Sequence, residues 1–210
     1  MIIVLFILCA VGSYFIGSLN YSIIFSTVFM KNDIRTKGSG NAGSTNMLRN
    51  YGWSVATITL LTDFMKTVVA TVCAWALFIR FFPEYAQTAT AVAGLFCAVG
   101  HCFPAYFGFK GGKGVAVGAM TILMVDFRSF LAVVAIFVIL VALFRYISLG
   151  SIAGAITFPS SLAFFTDYSS AADVATLVFA TILAVMVVSL HYPNIIRLFR
   201  GEESKINFKK

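Results

Sequence analysis

Long apolar runs alternate along the chain with short polar, glycine-rich interruptions. A helix that crosses a bilayer needs about 20 mostly apolar residues. Residues 2–30, 53–82, 86–103, 129–146, 147–165 and 174–192 have that length or come near it. Residues 115–125 form a further apolar run that hardly crosses alone, so the fourth of seven spans is expected to start inside the polar stretch before it. Residues 31–51 read as a loop, 83–85, 126–128 and 167–173 as turns, and 193–210 as a basic tail. Pro159 predicts a kink in the sixth span. The expectation is an all-α integral membrane protein, a single transmembrane domain over residues 1–210.

Composition agrees with that pattern. Of 210 residues 60% are hydrophobic and 11% charged, against about 25% charged in an ordinary soluble domain. Mean hydropathy is +0.95. The first apolar run has no basic stretch before Ile2 and continues past Gly17 and Ser18, so it reads as a retained span rather than a cleaved signal. Cys9, Cys73, Cys97 and Cys102 sit in or beside apolar runs without Cys-x-x-Cys spacing and read as buried thiols; no metal site and no cofactor are expected.

Charge sets the orientation. In a seven-span parse, Lys31, Arg35, Lys37, Arg49, Lys110, Lys113, Arg145, Arg197, Arg200, Lys205, Lys209 and Lys210 fall on one side, twelve of fifteen basic residues. Arg80 and Arg128 fall on the other, and Lys66 lies inside the second span. Basic loops stay in the cytoplasm, which predicts a cytoplasmic C-terminus and an outside N-terminus.

The polar clusters then share the cytoplasmic face. The first runs from Lys37 to Arg49 and holds Ser39, Asn41, Ser44, Thr45 and Asn46 around a glycine turn. Its Gly38-x-Gly40-x-x-Gly43 matches a dinucleotide fingerprint by letter, but no strand precedes it and no βαβ unit follows. What remains is a set of hydroxyls and amides beside Arg49, whose planar fork suits phosphate. The second runs from Gly100 to Ala116, with Lys110, Gly111, Gly112, Lys113 and Gly114. Glycines let backbone N–H groups approach an anion, and lysines beside them complete a phosphate cradle. Gly114 stands where a nucleotide-hydrolysing loop needs Ser or Thr, so nucleotide hydrolysis is not indicated. Lys110 also fits a simple positive-inside anchor, and His101 is either a substrate ligand or a satisfied interfacial histidine. The third cluster has Arg145, Ser148 and Ser151, which either cap the sixth span or donate to a phosphate at its start. The fourth joins His191, Asn194, Arg197 and Glu203 in an amphipathic tail. Asp63 and Lys66, three residues apart inside the second span, read as a mainly structural pair near the site.

These clusters, in this order, resemble the bacterial acyl-phosphate-dependent glycerol-3-phosphate acyltransferases, the PlsY family. The matching pieces are Ser39 to Asn46 with Arg49, Gly100 to Pro104 with Phe109 to Ala116, Arg145 to Leu149 with Ser151, and His191 with Asn194 to Arg197 and Gly201 to Lys205. Here Ser44 stands where the family often has Thr, Asn20 replaces a common Pro, and Thr67 replaces the Gly of Asp-x-x-Lys-Gly. The resemblance implies a seven-helix inner-membrane enzyme with its site toward the cytoplasm. It implies transfer of a fatty acyl group from acyl phosphate to the 1-hydroxyl of glycerol 3-phosphate, giving lysophosphatidic acid and phosphate, the first step of phospholipid synthesis. Expected partners are these two substrates, the lipid bilayer and the enzyme that makes acyl phosphate, with no nucleic acid.

Acyl phosphate is a mixed anhydride and already activated, so such an enzyme needs mainly positioning and charge stabilisation. Tyr106 and Ile196 occupy the places where an aspartate would complete a His-x4-Asp pair. The substrate's own phosphate is therefore expected to take the hydroxyl proton. Ser39, Asn41 and Asn194 are expected to orient the substrates. Thr45, Asn46, Arg49, His101, Lys110 to Gly114, Arg145, Ser148, Ser151 and Glu203 are expected to bind them. The rival is a small transporter of an organic phosphate. Transporters place polar sites at the midplane between repeated halves; here the clusters lie at one face, no repeat is visible, and only Asp63 and Lys66 sit mid-membrane.

Overall fold

A computed structural model describes residues 1–206; Lys209 and Lys210 of the basic tail lie outside the described residues. Ten α-helices are described: α1 (Ile2–Ser18), α2 (Tyr21–Val28), α3 (Ser44–Tyr51), α4 (Trp53–Phe81), α5 (Ala86–Cys102), α6 (Val115–Val125), α7 (Phe127–Phe144), α8 (Ile147–Phe165), α9 (Ala171–Leu190) and α10 (Tyr192–Phe199). Among the described residues, six helical segments are long and apolar enough to cross a membrane: Ile2–Val28, Trp53–Phe81, Pro83–Phe107, Phe127–Phe144, Ile147–Phe165 and Ala171–Leu190. The short apolar α6 is a seventh candidate. At 1.5 Å per residue its eleven residues rise about 16 Å, half a bilayer core. It starts at Val115, after the polar stretch rather than inside it.

Helix α5 is the central post. It is rich in Ala, Gly and Thr, is buried on nearly all sides, and packs against α1, α4, α6 and α9. Small residues let backbones approach where lipid offers no hydrophobic drive. A Cβ on Gly17 of α1 would run into the Cys97 carbonyl, and one on Gly100 into the Tyr14 carbonyl. Helices α7 and α8 pair in the same way, with Gly150 against Phe137 and Val141. Large apolar side chains such as Leu8, Leu61, Val138 and Val185 point outward, the face that lipid covers.

Two predicted elements differ from what is observed. The first apolar run is broken between α1 and α2. Asn20 caps α2 by accepting from the Ile23 N–H, and the Gly17 and Leu19 carbonyls accept from Lys66 at 3.1 and 2.9 Å. The loop of residues 31–51 contains helix α3, which starts after Gly43 with no side-chain cap, so neither Ser44 nor Thr45 serves as one.

Candidate active site

Two irregular segments meet at one end of the bundle. Residues 37–43 carry Gly38 and Gly40 at positive φ (54° and 70°), a backbone that glycine adopts without penalty. Asn46 clasps this segment from the first turn of α3. Its Oδ1 accepts from the Ser39 N–H at 3.1 Å, and its Nδ2 donates to the Ile34, Lys37 and Asn41 carbonyls. The second segment, residues 103–114, folds back onto the C-terminus of α5. The Gly111 N–H donates to the Cys102 carbonyl at 3.0 Å and the Gly112 N–H to the His101 carbonyl at 3.1 Å. The segments are zipped together where the Ala42 N–H donates to the Gly111 carbonyl, and Asn20 Nδ2 donates to both Ala42 and His101 carbonyls. On the water side Arg35, paired with Asp33, donates to the Phe107 and Lys110 carbonyls at 2.6 and 3.0 Å.

Between these segments, α8 and the α9–α10 junction lies a cavity of about 540 Å³. Its mouth is polar: Ser39, Asn41, Thr45, Arg49, Lys113 and Ser148 line it, with His191, Asn194, Arg197 and Glu203 opposite. Its depth is apolar, walled by Ile122 of α6, Val133 and Phe137 of α7, Phe158 of α8 and Leu183 of α9.

Among the helices that start at this mouth are α3 after Gly43, α6 after Gly114 and α8 after Tyr146, each without a side-chain cap. At the opposite end of the bundle α7 and α9 are capped by Asp126 and Ser170, while α1 and α5 also start without a side-chain cap. Uncapped first-turn N–H groups and the positive end of the helix dipole make an anion site. The mouth gathers the starts of α3, α6 and α8.

Its charges are linked. Lys113 Nζ donates to Asn194 Oδ1, Asn194 Nδ2 donates to Glu203 Oε1 at 2.7 Å, and Arg197 Nε donates to Glu203 Oε2 at 2.7 Å. Burial, with the Arg197 and Arg49 charges, pulls the Lys113 ammonium down to about 8, against the opposing pull of Glu203. Burial pushes the Glu203 carboxyl up, but the Asn194 and Arg197 hydrogen bonds outweigh it and hold the group below its usual range. Burial also lowers His191, followed in size by the Val187 hydrogen bond that opposes it. The neutral ring donates from Nδ1 to the Val187 carbonyl at 2.7 Å, so Nε2 carries a lone pair.

Twelve of the sixteen predicted site residues line the cavity: Ser39, Asn41, Thr45, Asn46, Arg49, His101, Lys113, Gly114, Ser148, Ser151, Asn194 and Glu203. Four do not. Lys110 is exposed and offers its carbonyl to Arg35. Gly111 and Gly112 spend their N–H groups on α5 carbonyls, so the expected cradle of glycine N–H groups is not formed by them; they are hinges that set Lys113. Arg145 is exposed in a left-handed conformation (φ 64°) at the end of α7. Two lining residues are also already engaged. Asn46 is consumed as the clasp, and Ser151 donates its hydroxyl to the Ile147 carbonyl at 2.9 Å. His191 and Arg197, both inside the matched motifs but not among the expected site residues, line the cavity as well, and Asp63 reaches its wall.

The chain matches the family model described as glycerol-3-phosphate acyltransferase over residues 7–201. Among curated relatives, the glycerol-3-phosphate acyltransferase of Maricaulis maris is 40% identical, covering 96% of this chain and 87% of the relative. That of Neisseria meningitidis is 37% identical (94% and 96%), and that of Chlorobaculum tepidum 36% (97% of each). Two crystal structures of PlsY (YgiH), an integral membrane glycerol 3-phosphate acyltransferase, superpose on the chain. Its glycerol 3-phosphate form gives a TM-score of 0.84 at 27% identity over 96% of both chains. Its lysophosphatidic acid form gives 0.79 at 27% identity, over 96% of this chain and 95% of that one.

Proposed function

The chain belongs to the glycerol-3-phosphate acyltransferase family, and from that premise we propose how its cavity carries out the transfer. The protein is an acyltransferase that acylates glycerol 3-phosphate in a membrane. The donor is an acyl phosphate, the acceptor is the 1-hydroxyl, and the products are lysophosphatidic acid and inorganic phosphate. The observation that carries this reading is the convergence of the uncapped starts of α3, α6 and α8 with Lys113, Arg49 and Arg197 on the mouth of a cavity that continues as an apolar slot. Both substrates are phosphorylated, and only one has a long chain to bury.

In this reading Lys113, Arg49 and the starts of α6 and α8 hold phosphate, while α6, α7, α8 and α9 enclose the acyl chain. Ser39, Asn41 and Asn194 orient the reacting groups, and the His191 Nε2 lone pair accepts from a substrate hydroxyl. The hydroxyl oxygen attacks the acyl carbonyl carbon and forms the ester bond. The carbon–oxygen bond to phosphate breaks, and the departing phosphate takes the hydroxyl proton. The uncapped N–H groups are fixed in place before reaction, so stabilising the developing charge costs little reorganisation.

The membrane arrangement follows from the same reading. Helix α6 completes seven spans in one domain, with the N-terminus outside and the cavity mouth and C-terminus toward the cytoplasm of a bacterial inner membrane. An acyl-phosphate-forming enzyme then supplies the donor from the same side. The test is to incubate purified protein with labelled glycerol 3-phosphate and either palmitoyl phosphate or palmitoyl-CoA. Labelled lysolipid from the phosphate alone is expected. Lysolipid from the thioester, or from neither donor, contradicts the donor assignment.

A further inference from the structure

Below the mouth lies a buried ion cluster that the acyl transfer does not itself use. Lys66 Nζ stands 2.8 Å from Asp63 Oδ1, 3.1 Å from His101 Nδ1, 3.1 Å from the Gly17 carbonyl and 2.9 Å from the Leu19 carbonyl. All three side chains are almost fully buried, in the part of the chain that lipid surrounds. Ionisable groups at such depth are costly and are kept where they have a task. A helix pair three residues apart needs only Asp63 and Lys66. Here the lysine reaches further, to the last carbonyls of α1 and to a ring on α5.

The contacts form a path to the site. His101 Nδ1 stands 3.1 Å from Lys66 Nζ and 3.5 Å from Asp63 Oδ1, so the ion pair holds one edge of the ring and leaves Nε2 on the other. A Cβ added to Gly112 would overlap that Nε2 and the Ala42 carbonyl, so the ring lies directly against the glycine before Lys113. The His101 backbone carbonyl accepts from the Gly112 N–H, and also from Asn20, which holds Ala42. Asp63 and His101 both reach the cavity wall. Arg35 fixes the two segments from the water side, and Lys66 is their counterpart from the membrane side.

We propose that Lys66 is a positioning residue for acyl transfer: through His101 and the end of α1 it sets the Gly112–Lys113 segment against residues 39–43. The inference rests on the reading that these segments hold the phosphorylated substrates. Glycerol 3-phosphate has no apolar anchor, so a displaced Lys113 weakens its hold more than that of the acyl donor, whose chain still fills the slot.

The test compares Lys66→Met, Lys66→Arg and the double variant Asp63→Asn/Lys66→Met. Losing one partner of a buried pair leaves an uncompensated charge and weakens the fold, whereas losing both is far milder. The double variant is therefore expected to unfold in detergent at close to the wild-type temperature. Its KM for glycerol 3-phosphate, and its Kd for the labelled compound, are expected to rise about tenfold or more, with the acyl-phosphate KM changed by less than about threefold. Lys66→Arg keeps the charge but moves the donors, and is expected to shift KM in the same direction. Either folded variant with KM and Kd within about twofold of wild type would overturn the proposal, because an ion cluster that only supports the fold leaves both unchanged. If wild-type protein binds glycerol 3-phosphate but forms no lysolipid from acyl phosphate, the donor assignment fails, and the Kd comparison still decides the role of Lys66.

Discussion

Asn194 accepts from Lys113 with its amide oxygen and donates to Glu203 at 2.7 Å with its amide nitrogen. An amide flipped the other way would face a donor with a donor, so the Glu203 carboxylate fixes which end Lys113 meets. Glu203 is 8% exposed and also accepts from Arg197. Hydrogen bonds to a charged group contribute about 1.5–3 kcal/mol, which corresponds to about 10- to 100-fold in kcat/KM. Glu203→Ala is expected to lose activity in that range. Glu203→Gln, which keeps one acceptor oxygen, is expected to lose less. Steady-state assay of both checks the order, and equal loss contradicts it.

A second prediction follows from the Lys113 ammonium lying near 8. Below that pH the group is charged and attracts phosphate; above it the charge is lost. The kcat/KM profile, which reports the free enzyme, is expected to be level up to about pH 8 and to fall beyond it. A limb near pH 6 would belong to the substrate phosphate, which titrates at about 6. Lys113→Arg stays charged throughout, so any activity it retains is expected to lack the alkaline limb. An unchanged alkaline limb in that variant removes Lys113 as its source.

Glycines separate by what stands in front of them. Gly112→Ala pushes a methyl into His101 and the Ala42 carbonyl, and displaces Lys113. A misplacement on the order of 1 Å costs about 100-fold in rate, which is the loss expected. Gly12→Ala on α1 meets nothing within 4 Å and removes a poor helix former. It is expected to leave activity unchanged and thermal stability equal or higher. Activity assays and detergent melting curves of the two variants check this pair.

Gly118 lines the cavity one turn below Gly114, and an added Cβ there also meets nothing within 4 Å. A leucine at this position enters the space assigned to the acyl chain. Gly118→Leu is expected to raise the KM for palmitoyl phosphate about tenfold while leaving the KM for glycerol 3-phosphate within about twofold. A rise for glycerol 3-phosphate alone would place the acyl slot elsewhere.

Much of this was legible in the residues. Apolar runs gave most spanning helices to within a few positions, because bilayer thickness fixes their length. The polar motifs named most of the mouth, because anion chemistry draws on few residue types. What stayed hidden depends on partners far along the chain. The break at residues 19–20 is held by Lys66, 47 residues beyond Leu19. The N–H groups of Gly111 and Gly112 read as free until α5 supplies carbonyls beneath them. Asn46 has the composition of a ligand, and only the fold reveals the five neighbours that consume its amide. Helix α3 is rich in Ser, Thr and Asn, which favour turns in isolation, and it is held by packing of Met47 and Leu48 against Ile23 and Ile34.

The account depends most on one mouth holding both phosphates. The direct measurement is steady-state kinetics of Arg49→Ala and Lys113→Ala with each substrate varied in turn. A fall of about 100-fold or more in kcat/KM is expected for each variant, since both lose a charged contact to phosphate. Near-normal turnover and KM for glycerol 3-phosphate in both variants would contradict the account.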